Sequence, residues 1–508
     1  MVKLSKLEEI SMNSNIFENL IKTEINLIPE SGAVTGSYSC TWWNQCPAAE
    51  ALGLSGEGLS AWRDAMNAEA LFDREDLFHP VPKEARRGLI FLLDDGWDVP
   101  IGTVGNDNDR HFFGSVDPNK DKFARYGSTP AERLKGISEA ANSMGYAGVG
   151  LWISPQEYAD DPYKAESSEE YWSTRAKWCH DAGVLYWKVD WGAHDYDDEY
   201  RRLISECVKK HAPELLVEHA VVQKPLSHNH GDIEKFIADR SKRTKKQMEF
   251  SDVIRTYDVL EPFDKVCTLL RAHEALEYTG EHSGKGYVNG ENLYAICSAL
   301  GLTTGIMNYN KEALACINWQ RIAPPFGVFE SDYTYSDNFL CDYLFFDTEI
   351  CGWAPCKGRT VIERAPAIMA RGCPLPDVKK HMDEPPFVLA SKNPRTGAYS
   401  VATLPRTVDP VRNAFFRASV TVKEVDPEKP VGVFGVFHNL TLELTAPISK
   451  DAKILAQDLN GDCAYDITEY ATIEDKKISF SGEILRYVGK IARGHNDQSE
   501  PSVVIKIM

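Results

Sequence analysis

The chain has 508 residues, of which 43% are hydrophobic, and a formal net charge of −19 at pH 7. This length and composition support a large buried core divided into two or three domains. The negative charge argues against nucleic acids and anionic membranes as partners, because both would repel it. No apolar stretch of the sequence approaches the roughly 20 residues that a membrane-spanning helix needs. A neutral ligand is therefore the expected class of partner.

The first residues and the cysteines together predict a cytoplasmic location. The opening segment, MVKLSKLEE, lacks the continuous apolar stretch of a signal peptide. The 12 cysteines are scattered along the chain rather than arranged as a disulfide framework. Cys179, Cys207, Cys267 and Cys297 fall within helix-like patterns and are expected to be buried free thiols.

Strand-like and helix-like segments alternate from about residue 33 to about residue 330. This repetition predicts a parallel sheet with helices around it, and eight such units would close a (β/α)₈ barrel. The clearest predicted strands are residues 33–40, 88–95, 147–154, 184–190, 215–220 and 249–256.

Helix boundaries are marked by capping residues. Thr129 is placed as an N-cap, Pro130 takes the first helical position and Glu132 completes a capping box. Gly145 ends this helix. A second helix is predicted over about residues 168–182, followed by a glycine stop.

The sequence changes character beyond about residue 385. Short segments of alternating polar and apolar residues replace the helices, which predicts the antiparallel strands of a β-sandwich. The predicted organisation is an N-terminal extension over residues 1–30, a (β/α)₈ barrel over residues 31–365 and a C-terminal β-sandwich over residues 385–508.

The most informative motif ends the strand predicted at residues 184–190. Side chains alternate along a strand, so Lys188 and Asp190 lie on the same side and reach its carboxyl end together. Parallel sheets and barrels carry their chemistry at that end. A carboxylate beside an ammonium group stays ionised at neutral pH, which a carboxylate nucleophile requires. A structural ion pair at a strand end would give the same pattern.

Other predicted strand ends also carry carboxylates. Asp94 and Asp95 suit hydrogen bonds to sugar hydroxyls, with Trp97 available to stack on a sugar ring, while an Asp-Gly turn is the structural alternative. Carboxylates at several strand ends fit glycoside hydrolysis, where one attacks and another acts as acid and then as base. They also fit metal-dependent isomerases and lyases. In that alternative the metal ligands would be Asp190, Glu218 and Asp252.

Two further patterns have simpler explanations than a site. Residues 227–232 contain His-x-His and an aspartate, but only two imidazoles lie within reach, so a polar loop explains them without zinc. The basic run at residues 240–246 is expected to be a solvated loop or helix end on an acidic chain.

The motifs, in their order along the chain, resemble clan D of the glycoside hydrolases, families 27 and 36, the retaining α-galactosidases. Asp94-Asp95-Gly96-Trp97 resembles the strand-two motif of these enzymes, and Lys188-Val189-Asp190 resembles the Lys-x-Asp that carries the nucleophile. Trp43-Asn44 resembles the Trp-Asn pair after the first strand. The resemblance covers roughly residues 30–365 in ordered fragments, as the following segments show. Residues 255–259 resemble the acid/base segment, with the arginine one residue closer to the aspartate than in family 27. Residues 287–293 resemble the strand-seven loop, residues 319–327 resemble the approach to strand eight, and residues 50–87 and 294–315 look like insertions.

The resemblance implies a (β/α)₈ barrel with a C-terminal β-sandwich, acting as a retaining exo-α-glycosidase on terminal α-galactosides without a metal or other cofactor. Asp190 would be the nucleophile and Asp258 the acid/base, with Asp252 as the other candidate for the second role. Glu218 falls where galactose-specific members contact the 2-hydroxyl. The residues expected to hold the sugar are Trp43, Asp94, Asp95, Trp97, Lys188, Glu218 and Arg255.

Several alternatives remain open at this point. The implied partner is a carbohydrate, with no nucleic acid or membrane, and self-association into a homo-oligomer is compatible with the sequence. Within the same class, the alternatives are an α-N-acetylgalactosaminidase or a related α-glycosidase. From other classes, they are the metal-dependent sugar isomerase or lyase and a barrel that binds sugar without turning it over.

Overall fold

The structure is a computed structural model that describes residues 17, 20–105, 113–158, 161–220, 233–256, 265–346, 359–381, 385–406, 417–494 and 496–508. Strand β1, Ile21–Lys22, lies outside the barrel and pairs with a C-terminal strand.

Eight parallel strands form the barrel. Each of the first six strands pairs with the next along the chain, and the eighth pairs with the first. A parallel bridge between Asn289 and Thr303 joins the remaining two neighbours. The barrel strands are β2 Tyr38–Cys40, β3 Ile90–Leu93, β4 Gly148–Ile153, β5 Tyr186–Val189, β6 Leu216–Ala220, β7 Val253–Arg255, β8 Tyr287–Asn289 and β9 Gly305–Ile306.

Helices surround the barrel and alternate with its strands. None of the helices in the described ranges combines the length and the apolar character needed to cross a membrane. These helices are α1 Trp42–Ala51, α2 Ser60–Asp64, α3 Ala68–Phe72, α4 Glu75–Phe78, α5 Pro130–Ser143, α6 Ser168–Ala182, α7 Asp198–His211, α8 Ile233–Met248, α9 Lys265–Leu276, α10 Tyr294–Leu300, α11 Lys311–Ile322 and, near the C-terminus, α12 Gly482–Val488. Short 3₁₀ turns occur at Lys83–Gly88, Ala124–Tyr126, Val328–Glu330 and Thr468–Tyr470.

The helix boundaries read from the capping residues are confirmed. Thr129 and Glu132 form the predicted reciprocal capping box at the start of α5. Gly183 ends α6 in the left-handed conformation, with φ of 71°, which costs glycine little because it has no side chain. The cysteines predicted to be buried thiols, at positions 179, 207, 267 and 297, are buried.

The C-terminal region is a β-sandwich, and the predicted fold class is confirmed. Its strands are β10 Tyr333–Tyr335, β11 Phe339–Phe346, β12 Arg359–Pro366, β13 Ile368–Arg371, β14 Asp377–Lys380, β15 Phe387–Lys392, β16 Tyr399–Leu404, β17 Ala418–Val425, β18 Val431–Phe434, β19 Asn439–Leu444, β20 Ile454–Asp458, β21 Tyr465–Asp466, β22 Ala471–Glu474, β23 Lys477–Ser481 and β24 Ser502–Ile507. A nine-stranded sheet runs in the order β1-β21-β20-β24-β18-β16-β15-β13-β10, and a five-stranded sheet runs in the order β14-β17-β19-β23-β22. Apolar side chains from both sheets share one core, with Val401 and Val433 from the first and Leu440 and Leu442 from the second. Strands β11 and β12 form a separate antiparallel ribbon.

The predicted position of the eighth barrel strand is wrong. The eighth strand is β9, within residues 294–315, which looked like an insertion, and residues 319–327 follow it rather than lead to it. A strand of two residues between two helices leaves no alternating pattern to detect. In addition, β10 and β13 pair within the nine-stranded sheet, so this sheet begins before the predicted C-terminal boundary at residue 385.

Candidate active site

The barrel interior changes from apolar to charged toward the carboxyl ends of its strands. Tyr38, Ile90 and Tyr186 belong to an apolar cluster inside the barrel. Period-two alternation places the next inward-facing residues of each strand above this cluster. On β3, β5, β6 and β7 these residues are charged, and the four strands therefore gather Asp94, Lys188, Asp190, Glu218 and Arg255 into one network.

Asp190 directly follows β5 and is held on both carboxylate oxygens. Its Oδ1 accepts a hydrogen bond from Arg255 Nη2 at 2.8 Å, and its Oδ2 accepts one from Trp152 Nε1 at 3.0 Å. Lys188 Nζ lies 4.0 Å from Oδ2. Burial alone would raise the pKa of Asp190, but the charges of Arg255 and Lys188 outweigh it and lower that pKa to about 2. The carboxylate is therefore ionised at neutral pH, as a nucleophile must be.

Lys188 and Asp94 form the second ion pair of the network. The Lys188 Nζ donates to Asp94 Oδ2 at 2.9 Å, which is closer than its approach to Asp190. The Cys40 thiol also donates to Asp94 Oδ2, at 3.1 Å. Burial opposes the charge of Lys188, but the charge of Asp94 prevails and raises the pKa of this lysine. Lys188 is therefore protonated, and its ammonium group lies between the carboxylates of Asp94 and Asp190.

Asp95 turns away from this pair toward α2. Its Oδ2 accepts hydrogen bonds from Arg63 Nε at 3.2 Å and from Arg63 Nη2 at 2.8 Å, and its backbone carbonyl accepts one from Gln45 Nε2. Burial raises the pKa of Asp95 although Arg63 lowers it. Asp95 lies at the carboxyl end of the barrel, and its contact with Arg63 ties the segment after β3 to α2.

Glu218 lies deeper than the sequence suggested and is fully buried on β6. Its Oε2 accepts hydrogen bonds from Tyr186 at 2.8 Å and from Asn289 Nδ2 at 2.6 Å, and its Oε1 accepts one from Tyr38 at 3.4 Å. Arg255 Nε lies 3.9 Å from Oε1. The Glu218 carboxylate was expected to contact a sugar 2-hydroxyl, but in this structure it accepts hydrogen bonds from protein side chains. Glu218 therefore supports the charged network, including Arg255, from inside the barrel.

Asp252 lies at the opposite end of the barrel from Asp190. It precedes β7, whereas Arg255 ends that strand level with Ala220. It is thus three residues, about 10 Å, nearer the amino end than Arg255. Alternation turns Asp252 to the outer face, where its oxygens accept hydrogen bonds from the backbone N–H groups of Val217 and Lys285.

This placement removes two of the alternatives that the sequence left open. Asp252 cannot serve as the acid/base partner of Asp190, and the metal-ligand set of Asp190, Glu218 and Asp252 cannot converge on one ion. Within the described ranges, no three side chains of the kinds that bind metal come together as a metal site. Asp258, the other candidate for the acid/base, lies outside the described residues.

The two tryptophans expected near the sugar, Trp43 and Trp97, and a third beside Asp190 occupy three different environments. Trp97 is fully buried and its indole N–H donates to the Trp152 carbonyl, so it supports the wall of the site and offers no open face to a ligand. Trp43 is 55% exposed on α1, which begins just after β2. Trp191 is partly buried beside Asp190 and packs against Phe113, with the ring centres 5.2 Å apart.

Three residues that the sequence patterns did not single out complete the network. Trp152 reaches Asp190 from β4, and Arg201 reaches it from α7 by donating to the backbone carbonyls of Val189 and Asp190. Glu291 lies after β8, with Oε1 3.5 Å from Arg255 Nε. Trp152 sits within an apolar run and Arg201 is one of two adjacent arginines in a helix, so neither differs locally from a structural residue. Glu291 follows an Asn-Gly pair, which reads as an ordinary turn.

Comparisons with known proteins rest on structure alone, because no family model and no curated protein matches the chain. A family 27 β-L-arabinopyranosidase from Geobacillus stearothermophilus is similar at 10% identity and a TM-score of 0.39, covering 94% of this chain and 96% of that one. Alpha-galactosidase I from Mortierella vinacea is similar at 10% identity and a TM-score of 0.38, covering 94% and 97%. An alpha-galactosidase from Saccharomyces cerevisiae is similar at 10% identity and a TM-score of 0.30, covering 69% and 78%. Glycosidases of the family that the motifs resemble are therefore among the solved structures similar to this chain, and at such scores its activity has to be inferred from its own site.

Proposed function

We propose that this protein is a retaining exo-α-glycosidase that hydrolyses terminal α-galactosides. The observation that carries the proposal is Asp190. It lies inside the barrel at the carboxyl end of a strand, held in its ionised form by Arg255, Lys188 and the Trp152 N–H. Such a carboxylate can attack an anomeric carbon, because its oxygens keep lone pairs beyond the hydrogen bonds they accept.

The proposed reaction has two steps. In the first, an Asp190 oxygen forms a bond to the anomeric carbon while the bond to the leaving oxygen breaks, and the leaving oxygen takes a proton from Asp258. In the second, Asp258 removes a proton from water, and that water displaces Asp190 from the sugar. The chain's own cations would hold Asp190 ionised before the attack, and no metal ion takes part.

The choice of galactose rests on the resemblance of the motifs to clan D. Within that resemblance Asp94, which lies at the carboxyl end of β3 beside Lys188, would meet a hydroxyl of the bound sugar. Glu218 does not support the choice, because Tyr38, Tyr186 and Asn289 already occupy its carboxylate.

A panel of nitrophenyl glycosides tests both the reaction and the sugar. We expect hydrolysis of the α-galactoside, unchanged after dialysis against a chelator. The matched substrates are the α-N-acetylgalactosaminide, the α-glucoside and the β-L-arabinopyranoside. Faster cleavage of one of these would keep the mechanism and change the sugar. Activity lost to chelator and restored by manganese or magnesium would contradict the proposal, because those ions bind all-oxygen carboxylate sites.

A further inference from the structure

Glu291 adopts a backbone conformation that side chains other than glycine rarely take. It lies two residues beyond the end of β8, is fully buried, and has a φ of 46°. A positive φ costs free energy in a residue with a Cβ, and such positions persist where the surrounding structure fixes them, often at functional sites.

Two hydrogen bonds fix this conformation from either side. The Glu291 N–H donates to Asn289 Oδ1 at 2.8 Å, and its carbonyl accepts from the Thr304 hydroxyl at 2.5 Å. The Asn289 amide in turn donates to Glu218. The turn after β8 is therefore tied to the interior network, and the direction of the Glu291 side chain is set by that tie.

The Glu291 carboxylate is aimed at Arg255. Its Oε1 lies 3.5 Å from Arg255 Nε, on the same atom that Glu218 Oε1 approaches at 3.9 Å. The Arg255 Nη2 meets Asp190 Oδ1 at 2.8 Å. Carboxylates thus contact the guanidinium at its Nε edge and at Nη2. Because a guanidinium is planar and rigid, fixing the Nε edge also fixes where Nη2 points.

We infer that Glu291 is a positioning residue, which holds the Arg255 guanidinium so that its Nη2 donates to Asp190. The inference rests on the proposed role of Asp190 as nucleophile. Glu291 acts through Arg255 and has no contact with the reacting atoms in this role. A buried glutamate with a fixed backbone suits this role, because its negative charge attracts the Arg255 guanidinium and its fixed position sets the orientation of that group.

The test compares Glu291→Gln with Asp458→Asn, a change at a buried carboxylate of the sandwich that lies 3.5 Å from Arg493 Nη2. We expect Glu291→Gln to lower kcat by about tenfold to a hundredfold with KM nearly unchanged, because a small displacement of an orienting group is costly in the transition state. The loss should be the same for an alkyl α-galactoside, whose leaving oxygen needs protonation, and for the glycosyl fluoride, whose fluoride leaves with little protonation. Asp458→Asn should lower Tm and leave kcat unchanged.

A double substitution shows whether the effect passes through Arg255. In an Arg255→Lys background, which lacks the Nε edge, Glu291→Gln should cause little additional loss. Should Glu291→Gln fail to fold, Glu291→Asp takes its place, since its shorter side chain draws the carboxylate away from Nε.

Each contrary result identifies what has failed. Full activity of Glu291→Gln, or losses that multiply in the Arg255→Lys background, would overturn the inference and leave the proposed function standing. A loss confined to substrates with poor leaving groups would also overturn it, by making Glu291 the acid itself. A wild-type protein inactive on every glycoside would overturn the proposed function and the inference with it.

Discussion

Asp190 and Asp252 lie at opposite ends of two strands of the same barrel, and their surroundings differ. Asp190 follows β5 on the inner face, and the cations of Arg255 and Lys188 overcome its burial and lower its pKa to about 2. Asp252 precedes β7 on the outer face, where two backbone N–H groups hold its oxygens. There burial prevails and raises the pKa of Asp252.

The difference shows how the same residue type serves two purposes in a barrel. At the carboxyl end, inward side chains from neighbouring strands converge, so a carboxylate gains cations and faces the mouth. At the amino end, a carboxylate can satisfy the backbone donors of the adjoining segments, which stabilises the fold. The carboxylate at the carboxyl end faces the mouth of the barrel, whereas the carboxylate at the amino end is committed to hydrogen bonds that hold the fold.

The comparison is tested most strongly by removing Asp190. We expect Asp190→Ala to lower turnover by at least about three orders of magnitude, since only binding and electrostatic assistance remain. Azide should restore part of the activity by attacking from the vacated side. Turnover of nitrophenyl α-galactoside measures both effects, and near-normal activity of this variant would contradict the proposed mechanism.

The next largest effect is expected from Lys188→Met. The variant leaves Asp94 and Asp190 with less positive charge, so kcat/KM should fall by about tenfold to a hundredfold. The pKa of Asp190 should rise, which moves the acidic limb of the pH profile to higher pH. Breaking the buried pair should also cost about 3–5 kcal/mol of unfolding free energy. An unchanged pH profile would show that Lys188 does not act on Asp190.

Asp252→Asn should affect stability rather than catalysis. The substituted amide cannot accept both backbone hydrogen bonds equally well, and we expect a loss of about 1–3 kcal/mol in the free energy of unfolding. Turnover per folded molecule should stay within about twofold of the wild type, because the residue lies about 10 Å from the level of Asp190 along the strand. Urea unfolding and active-site titration separate the two quantities. A catalytic loss as large as that of Asp190→Ala would contradict the division between the two ends.

The smallest effect concerns pH. The pKa of Asp190 lies below its ordinary value of 3.8, so the stability that its ionisation contributes is present above about pH 4 and is lost as the pH falls through about 2. We expect the rate of the first step with the glycosyl fluoride, measured as fluoride released in a single turnover, to change by less than about twofold between pH 4 and pH 6, because the nucleophile is ionised throughout. A steep fall within that window would show that Asp190 is less strongly stabilised by its cations.

Much of the barrel follows from local signals, while its closure does not. The first six strands of the barrel could be read from apolar runs between turn residues, and the helices α5 and α6 from capping residues, because both signals are local. Strand β9 could not, since two residues carry no period. The predicted cytoplasmic location, the domain boundaries and the question of self-association stay predictions.

The sequence by itself determined that Lys188 and Asp190 share a face and that carboxylates stand at several strand ends, because alternation follows from the geometry of a single strand. It could not choose between Asp252 and Asp258, nor tell which end of a strand each neighbour occupies. Only the tertiary structure decided that Lys188 pairs with Asp94 and that Trp152 and Arg255 reach Asp190. It also decided that the Glu218 carboxylate is surrounded by hydrogen-bond donors of the protein. These contacts join residues from strands far apart in the chain, and their distances are set by how the barrel closes.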